Sequence, residues 1–473
     1  MVTRPSVLPA MPAAAVPAQD WQPTIVAIVC NWCTYAGADM AGTTRLVYPA
    51  SVRMLRVPCT GRMSPLFVLR AFERGADGVL LSGCHPGDCH YVHGNLYARR
   101  RFASFRALLD FMGLDARRFH VSWVSAAEGA KWAKVVTDVT AAVRAAGPLK
   151  GWGRLAADGK LPWLPAPPPP PRGTPAAGDQ QAIAGHLRAL CQQLLEQGKV
   201  QQVLGYRPGT LPGRMVPALI GRPEDAKLLD WSDQCHTDLA VYLAGAQGLT
   251  GKIGIVVKAC DARALNGLLQ EAQVRREDLT VIGVSCPGVL DASSLALKCY
   301  ACDGEVAASC DYTVLPAGAQ PGAVGSGARR AVAADPRDAQ IEFLSRLPAA
   351  ERWAFWQAQF DACIRCYACR AVCPYCYCGT CITEKSQPQW IPTTIDGKGN
   401  TAWNFIRAYH LAGRCVGCDE CSRVCPAGLR LDLLNRRIAL EMERRFDYRA
   451  GETMDGGPPL AAFQPDDPQE FIY

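Results

Sequence analysis

The sequence has little net charge and no long apolar run. Of its 473 residues, 20% are charged, and the net charge of +7 is small for this length, so nucleic-acid binding is not expected. No apolar run approaches the roughly 20 residues that cross a bilayer, so we expect no direct membrane span. The first 20 residues contain four prolines where a secretory signal needs an unbroken apolar segment. We therefore expect a cytoplasmic protein with a disordered tail at residues 1–20.

Motifs for catalysis and nucleotide binding are also missing. The segment GAQGLTGKIG departs from a phosphate-binding loop, because Ala246 stands where the first Gly belongs and Ile253 where Ser or Thr should bind magnesium. We find no convincing nucleophile or acid–base pair. The densest basic run, Arg99-Arg100-Arg101 on a predicted helix, is expected to be a solvated or partner-facing surface rather than a phosphate site.

Cysteine, in contrast, is abundant. The chain has 23 cysteines, which are not expected to form disulfides in a reducing compartment. Metal or cluster ligation is the better account of them. The length of the chain predicts about three domains, and cysteines occur in each of the regions described below.

The most regular cysteine pattern is a pair of motifs, CIRCYACRAVCP from Cys363 and CVGCDECSRVCP from Cys415. Each fits C-x2-C-x2-C-x3-C-P, the spacing of a two-cluster bacterial ferredoxin, in which the fourth thiolate of each motif reaches the other cluster. This rule predicts two 4Fe-4S clusters, one held by Cys363, Cys366, Cys369 and Cys425 and the other by Cys415, Cys418, Cys421 and Cys373. Two structural zinc sites are the alternative, since four cysteines also bind zinc. The ferredoxin domain is expected at residues 346–450.

The insert between these twin motifs begins with three further cysteines, Cys376, Cys378 and Cys381. They could bind an additional cluster or a zinc ion with a fourth ligand from elsewhere. They could equally lie near the clusters without binding metal. A helix is expected at residues 429–445, and a tail at residues 451–473 that docks as a strand or is disordered.

Residues 21–149 alternate between strand and helix patterns. Apolar runs predict buried parallel strands at residues 24–29, 52–57, 78–82 and 119–124, and hence a small doubly wound or similar α/β domain. Cysteines follow each of the first three strands, and the carboxyl ends of parallel strands lie along one edge of a sheet. One site is therefore expected from Cys30, Cys33, Cys59, Cys84 and Cys89.

The segments CNWCTYAGADMAGTTR, VPCTGR, GADGVLLSGCHPGDCHY and WVSAAEGAK of this domain closely resemble the delta subunit of methyl-viologen-reducing hydrogenase. The resemblance implies a 2Fe-2S cluster on the five cysteines above, one more than the four ligands required. It also implies a link from a hydrogenase, or a formate dehydrogenase in its place, to the flavin subunit of heterodisulfide reductase. His85 and His90 flank two of these cysteines and are expected to donate hydrogen bonds rather than to ligate as in Rieske centres.

A proline-rich linker is expected at residues 150–180, a second α/β domain at residues 181–315, and another linker at residues 316–345. The second domain has a predicted helix at residues 181–197 and strands at residues 252–257 and 279–284. Cysteines again follow the strands, which suggests another 4Fe-4S site with zinc as the alternative. The preferred ligands are Cys286, Cys299, Cys302 and Cys310, with Cys260 as the alternate.

The stretch from VLGYRPG to GVSCPGV resembles the N-terminal part of the beta subunits of deazaflavin-dependent hydrogenases and related formate dehydrogenases. The resemblance covers about residues 200–315 and implies FAD and a 4Fe-4S cluster. That family usually places its ferredoxin cysteines before this region, whereas here they follow it. The rest of the flavin-binding domain has no room before Cys363, so FAD is not favoured on this chain.

The sequence thus predicts an α/β protein with a small parallel-sheet domain, a second α/β domain and a two-cluster ferredoxin domain. The favoured function is electron transfer between a flavin subunit like that of heterodisulfide reductase and a hydrogenase, formate dehydrogenase or other low-potential oxidoreductase. A flavin-containing catalytic subunit that reduces a small molecule or deazaflavin is the alternative, and a zinc-rich scaffold is the third hypothesis.

Overall fold

The computed structural model describes residues 21–149, 164–170, 177–245, 249–291, 294–302, 309–316, 334–454 and 456–473. The predicted tail at residues 1–20, much of the two predicted linkers and Ala246 lie outside the described residues. Within the described ranges, no helix combines the length and the hydropathy that a membrane span requires.

The N-terminal domain is a four-stranded parallel sheet with helices on both faces. Its strands are β1 (Ile25–Cys30), β2 (Val52–Val57), β3 (Gly78–Gly83) and β4 (Phe119–Trp123), in the order β2-β1-β3-β4. Its helices are α1 (Thr34–Thr43), α2 (Pro65–Glu73), α3 (Gly94–Phe111) and α4 (Gly129–Ala146). Alternate residues of β1 pack against different layers: Ile25 and Val29 against α4, Ile28 against α2 and α3. The parallel sheet predicted from the apolar runs is confirmed.

The middle domain begins with α5 (Ala177–Glu196) and contains a five-stranded sheet. The sheet order is β11-β8-β7-β5-β6, and β6 alone is antiparallel to its neighbour. Its elements are β5 (Gln202–Pro208), β6 (Met215–Ile220), β7 (Ile253–Val257), α6 (Ala259–Gln270), β8 (Leu279–Val284), a small hairpin of β9 (Leu290–Asp291) and β10 (Ser294–Leu295), and β11 (Tyr312–Val314). The second α/β domain is thus present, and three strands of its sheet, β5, β6 and β11, were not predicted.

The C-terminal region is helical around the cysteine loops. Its helices are α7 (Pro336–Arg346), α8 (Ala349–Asp361), α9 (Ala368–Ala371), α10 (Gly397–His410), α11 (Glu420–Arg423) and α12 (Leu431–Phe446). The predicted end of the second linker, at residue 345, is wrong, because helix α7 already begins at Pro336. Asp335 caps α7 by accepting from the backbone N–H of Arg337, and Ile341 and Leu344 are buried.

The twin-motif region packs against both α/β domains. Helices α8, α10 and α12 share an apolar core with α2 and α3 of the N-terminal domain, and the Phe105 ring meets the rings of Phe405 and Tyr409 edge to face. On the other side, Tyr375 and Val416 join the core of the middle sheet. The cysteine loops are therefore held between two sheets rather than on a separate, tethered module.

The basic run on α3 is buried, so the expectation of a solvated or partner-facing surface is wrong. Arg99 and Arg100 are 1% and 8% exposed. Arg100 Nε lies 2.6 Å from Asp467 Oδ2, and Arg99 Nη2 donates to the carbonyl oxygen of Gln464 at 2.5 Å. The chain end returns to β4, where the backbone N–H of Tyr473 donates to the carbonyl oxygen of Val121 at 2.9 Å. The tail predicted to dock or be disordered is therefore docked in its described part.

We expect Asp467→Ala to lower the free energy of unfolding by about 3 kcal/mol, because it leaves the buried Arg100 guanidinium without its counter-charge. The measurement is chemical denaturation of the anaerobically purified chain. Asp466→Ala is the matched control, since Asp466 is the exposed neighbour of Asp467. Equal stability of the two variants would show that the buried ion pair does not hold the tail.

Candidate functional site

The first cysteine site lies at the carboxyl edge of the N-terminal sheet. Cys30 ends β1, Cys59 follows β2 and Cys84 directly follows β3, three strands that are neighbours in the sheet. Cys33 caps α1, and Cys89 lies in the loop before α3. Two close pairs result: Cys30 Sγ is 3.6 Å from Cys84 Sγ, and Cys59 Sγ is 3.8 Å from Cys89 Sγ. The structure therefore brings the predicted thiols together, since three adjacent parallel strands deliver their loops to one edge.

These four thiols are buried, whereas Cys33 is partly exposed and lies 3.9 Å from the carbonyl oxygen of Asp88. Two thiolates on one tetrahedral metal, with metal–sulfur bonds of about 2.3 Å, stand about 3.8 Å apart. Each close pair thus has the spacing for one metal of a two-metal group. In the parts of the chain that the structure describes, no three His, Cys, Asp or Glu side chains are placed to hold a single metal ion.

The backbone lies directly against these thiols, at a glycine and at two N–H groups. A Cβ on Gly94 would lie 2.3 Å from Cys59 Sγ and 3.4 Å from Cys89 Sγ. The backbone N–H groups of Thr34 and Gly61 donate to the sulfurs of Cys30 and Cys59 at 3.4 and 3.5 Å. Backbone donors aimed at sulfur favour the thiolate, which is the form that binds metal. The donor set and the close glycine therefore fit an iron–sulfur group.

The thiolate form is also favoured within the Cys30 and Cys84 pair. The hydrogen bond from Cys84 is the main influence that lowers the pKa of Cys30 to about 5, against the opposing effect of burial. The same hydrogen bond raises the pKa of Cys84, so the two thiols titrate as a pair.

Both neighbouring histidines engage other side chains. His85 Nε2 lies 2.7 Å from Glu128 Oε2, which also accepts from the backbone N–H of Ser125 at 2.7 Å. The His90 ring stacks on Trp32, with 3.9 Å between the ring centroids. Because both rings contact neighbouring side chains, they are better suited to support the cysteine site than to bind a metal themselves.

The twin motifs fold into two short loops that each end in a helical turn, α9 and α11. Left-handed backbone at Tyr367 (φ 60°) and Asp419 (φ 57°) turns the chain immediately before these helices. The Cys369 thiol has a raised pKa, mainly because it is buried, with further contributions from Cys363, Cys425 and Cys366. Cys425, the fourth cysteine of the second motif, thus acts electrostatically on a thiol of the first motif, and the crossover assignment of the ligands stays a prediction.

The second set, Cys373, Cys415, Cys418 and Cys421, lines one cavity. Burial raises the pKa of the Cys415 thiol to about 11, and Cys373 acts in the same direction. The Asn435 side chain on α12 donates from Nδ2 to Cys421 Sγ at 3.5 Å. Hydrogen bonds to sulfur are a means by which proteins tune cluster potentials.

Helix α10 supplies three supporting residues that sequence reasoning missed. Asn400 and Arg407 donate to the carbonyl oxygens of Cys363 and Cys369, each at 2.8 Å, and Asn404 is buried between them along the helix. These three residues are spaced i, i+4 and i+7, which places them on one helix face. A polar stripe at that spacing, between two cysteine motifs, is the signal that could have found them.

In the middle domain, four cysteines line one small cavity: Cys260, Cys286, Cys299 and Cys302. Cys260 begins α6 and Cys286 follows β8, so both lie at the carboxyl edge of the sheet. Cys310 does not join them. It precedes β11, which runs parallel to β8, and it therefore lies at the opposite, amino edge, where its pKa is raised to about 11 by burial and by Asp311. The structure thus favours the alternate, Cys260, over Cys310.

The middle cavity adjoins the second ferredoxin set. Cys302, Lys298 and Gly417 line both cavities. Lys298 Nζ lies 3.2 Å from Glu420 Oε1, and both side chains are buried. This ion pair connects the residue before Cys299 to the residue before Cys421, so it fixes the two cysteine loops against each other.

The three cysteines of the insert contact different neighbours. Cys376 lies beside Cys373, Cys378 is exposed, and the backbone N–H of Cys381 donates to Glu384 Oε2 at 2.8 Å. No site for a single ion forms from them in the described residues.

Two protein families match parts of the chain. Residues 25–147 match the methyl-viologen-reducing hydrogenase delta subunit, and residues 362–430 match a 4Fe-4S dicluster domain. Both resemblances drawn from these regions are confirmed, and 4Fe-4S chemistry is supported for the C-terminal one. The resemblance of the middle domain stays a prediction.

Curated relatives match the N-terminal domain. An iron-sulfur subunit of the F420-non-reducing hydrogenase of Archaeoglobus profundus is 49% identical over 132 residues, which cover 28% of this chain and 96% of the relative. The corresponding iron-sulfur subunit of the vhc F420-non-reducing hydrogenase of Methanococcus voltae is 48% identical over 28% of this chain and 91% of the relative. One subunit of the ferredoxin:CoB-CoM heterodisulfide reductase of Methanosarcina mazei is 42% identical over 27% of this chain and 16% of the relative.

Proposed function

This chain belongs to the methyl-viologen-reducing hydrogenase delta-subunit family through residues 25–147, and from this membership we propose that it is a multi-cluster electron-transfer subunit. The observation that carries the proposal is the shared apolar core of that family domain and a 4Fe-4S dicluster domain, whose second cysteine set adjoins the cysteine cavity of the middle domain. When bound, iron–sulfur clusters supply one-electron transfer. The protein itself holds the thiolates, excludes water from them and fixes the distances between sites.

The partners of the proposed subunit follow from the proteins that it resembles. Relatives of the N-terminal domain are named as iron-sulfur subunits of hydrogenases and as subunits of heterodisulfide reductases. We propose that the chain relays electrons in the cytoplasm between a flavin subunit of a heterodisulfide-reductase kind and a hydrogenase, formate dehydrogenase or other low-potential oxidoreductase. No flavin is required on this chain itself.

We assign the N-terminal site to a 2Fe-2S cluster with Cys30 and Cys84 on one iron and Cys59 and Cys89 on the other. The two sulfur–sulfur distances of 3.6 and 3.8 Å support this division, and Cys33, the partly exposed thiol, is left outside it.

Three 4Fe-4S clusters complete the assignment. Two are held across the twin motifs, by Cys363, Cys366, Cys369 and Cys425 and by Cys415, Cys418, Cys421 and Cys373. The third is held by Cys260, Cys286, Cys299 and Cys302, which line one cavity in the middle domain. Thiols at the edge of a buried sheet and in a turn beside it supply a water-poor pocket, which suits a cluster whose potential depends on solvent exposure.

The test of the function is anaerobic purification of the full chain followed by measurement of iron, acid-labile sulfide and flavin. We expect iron and sulfide in equal amounts, electron paramagnetic resonance signals on reduction, and no flavin on acid extraction. Cys366→Ala should remove one cluster and lower the rate of electron transfer between the two partner sides at least tenfold, because it interrupts the relay. Unchanged transfer in this variant, or stoichiometric flavin in the wild type, would contradict the proposal.

A second comparison tests the N-terminal ligands. Cys59→Ser is expected to abolish the 2Fe-2S signal, because it removes half of one close pair. Cys33→Ser should retain the signal, since its thiol lies outside both pairs. The measurement is the spectrum of the reduced chain with its iron content. Loss of the signal in Cys33→Ser and its retention in Cys59→Ser would reverse the assignment.

The middle site is tested by a third pair of variants. Cys260→Ser should lower the iron content by about four per chain, whereas Cys310→Ser should leave it unchanged, because Cys310 lies at the amino edge of the sheet. Iron and sulfide are measured on both variants after identical purification. The opposite result would restore Cys310 as the ligand and exclude Cys260.

A further inference from the structure

Arg407 stands out among the buried cations of the C-terminal region. It lies on α10, in the insert that separates the twin motifs, and it is only 4% exposed. Nη2 donates to the carbonyl oxygen of Cys369 at 2.8 Å. Nε is buried, and no group of the described residues accepts a hydrogen bond from it.

The other buried cations of the same cavity are neutralised by carboxylates. Arg337 pairs with Asp335 at 2.5 Å and also contacts Asp419. Lys298 pairs with Glu420 at 3.2 Å. Arg407, in contrast, takes part in none of the ion pairs between described residues. A buried charge without a partner is unfavourable by several kcal/mol on general grounds, so its counter-charge must come from another source.

Cysteines of both ferredoxin sets surround this guanidinium. Burial acts to lower the pKa of Arg407, but Cys421, Cys373 and Cys369, once ionised, act to raise it and outweigh burial. Cys369 belongs to the first set, and Cys373 and Cys421 belong to the second. Arg407 also lines the cavity of the second set. One cation thus reaches the first set through the Cys369 carbonyl and lines the cavity of the second set.

We infer that Arg407 is the shared counter-charge of the two ferredoxin-type clusters and raises the reduction potential of both together. The inference rests on the proposed function, because it requires clusters at both cysteine sets. A fixed positive charge in a water-poor site stabilises the reduced, more negative form of each cluster. Its free Nε–H gives it a further donor for the sulfur atoms that a cluster would bring. Arg407 acts on the clusters through its charge and its hydrogen bonds, so it is a positioning and tuning residue.

The test is potentiometric titration of the anaerobically purified full chain, followed by electron paramagnetic resonance. In Arg407→Gln, both ferredoxin-type clusters should shift to more negative potentials, while the N-terminal cluster keeps its potential. Arg407→Lys retains the charge and should shift both clusters less. Arg352→Gln is the matched control: Arg352 is also a buried arginine bonded to a backbone carbonyl, that of Asp110, and it should leave every potential unchanged.

Each outcome decides the inference. Unchanged potentials in Arg407→Gln, or a shift of one cluster alone, would overturn the shared role. If Arg407→Gln fails to retain the clusters, Arg407→Lys decides: retention of both clusters supports the need for a charge, whereas their loss assigns a packing role and overturns the inference. A wild-type chain without labile sulfide would instead contradict the proposed function, so the two failures are distinguishable.

Discussion

The clamping of the twin cysteine motifs between two α/β domains is the constraint on which the rest of the structure depends. Short loops with turns such as those at Tyr367 and Asp419 have little apolar surface of their own, so they rely on neighbours for burial. The aromatic contact of Phe105 with Phe405 holds one side, and Tyr375 in the core of the middle sheet holds the other. Because both sheets present their carboxyl edges with cysteines, the same packing that buries the loops also gathers the separate sites.

Burial creates an electrostatic problem that these domains solve locally. Many thiols in the loops and at the sheet edges have pKa values raised chiefly by burial, which opposes the thiolate form required for ligation. Cations and donors from adjacent elements oppose this effect. Asn435 reaches one sulfur directly, and Arg407 faces thiols of both motifs. The charge of Lys298 is neutralised by Glu420, and this ion pair connects the loop of Cys299 to the loop of Cys421. Lys298, whose charge is neutralised, therefore supports the loops, whereas Arg407, which has no carboxylate partner among the described residues, is the residue suited to change the reduction potential of a cluster.

The parallel sheet and the twin loops were predictable from the sequence, because each depends on a pattern within a short segment: an apolar run for a strand and a fixed cysteine spacing for a loop. Features that depend on distant partners were not predictable. Arg100 is buried because it pairs with Asp467, which lies 367 residues further along the chain, and no pattern near Arg100 indicates this partner. Helix α10 was missed because it is buried on nearly every side, with Asn400 and Arg407 buried as well as Phe405, so its sequence lacks the alternation of one apolar and one polar face. Cys310 was preferred as a ligand because it lies close to Cys299 and Cys302 in the sequence, and β11, which places it at the amino edge of the sheet, has only three residues and was not predicted.

The spatial order of the sites differs from their order in the sequence. The middle cavity and the second ferredoxin set share Cys302 and Gly417 in their walls, and Arg407 faces both ferredoxin sets. The order in space is therefore middle site, second set, first set. The loop after Cys59 lines a groove together with Arg414, the neighbour of Cys415, so this loop and the start of the second motif border the same groove. The ferredoxin motifs thus occupy the junction between the two α/β domains, and in the proposed relay the electrons would pass through them whichever end receives the electron.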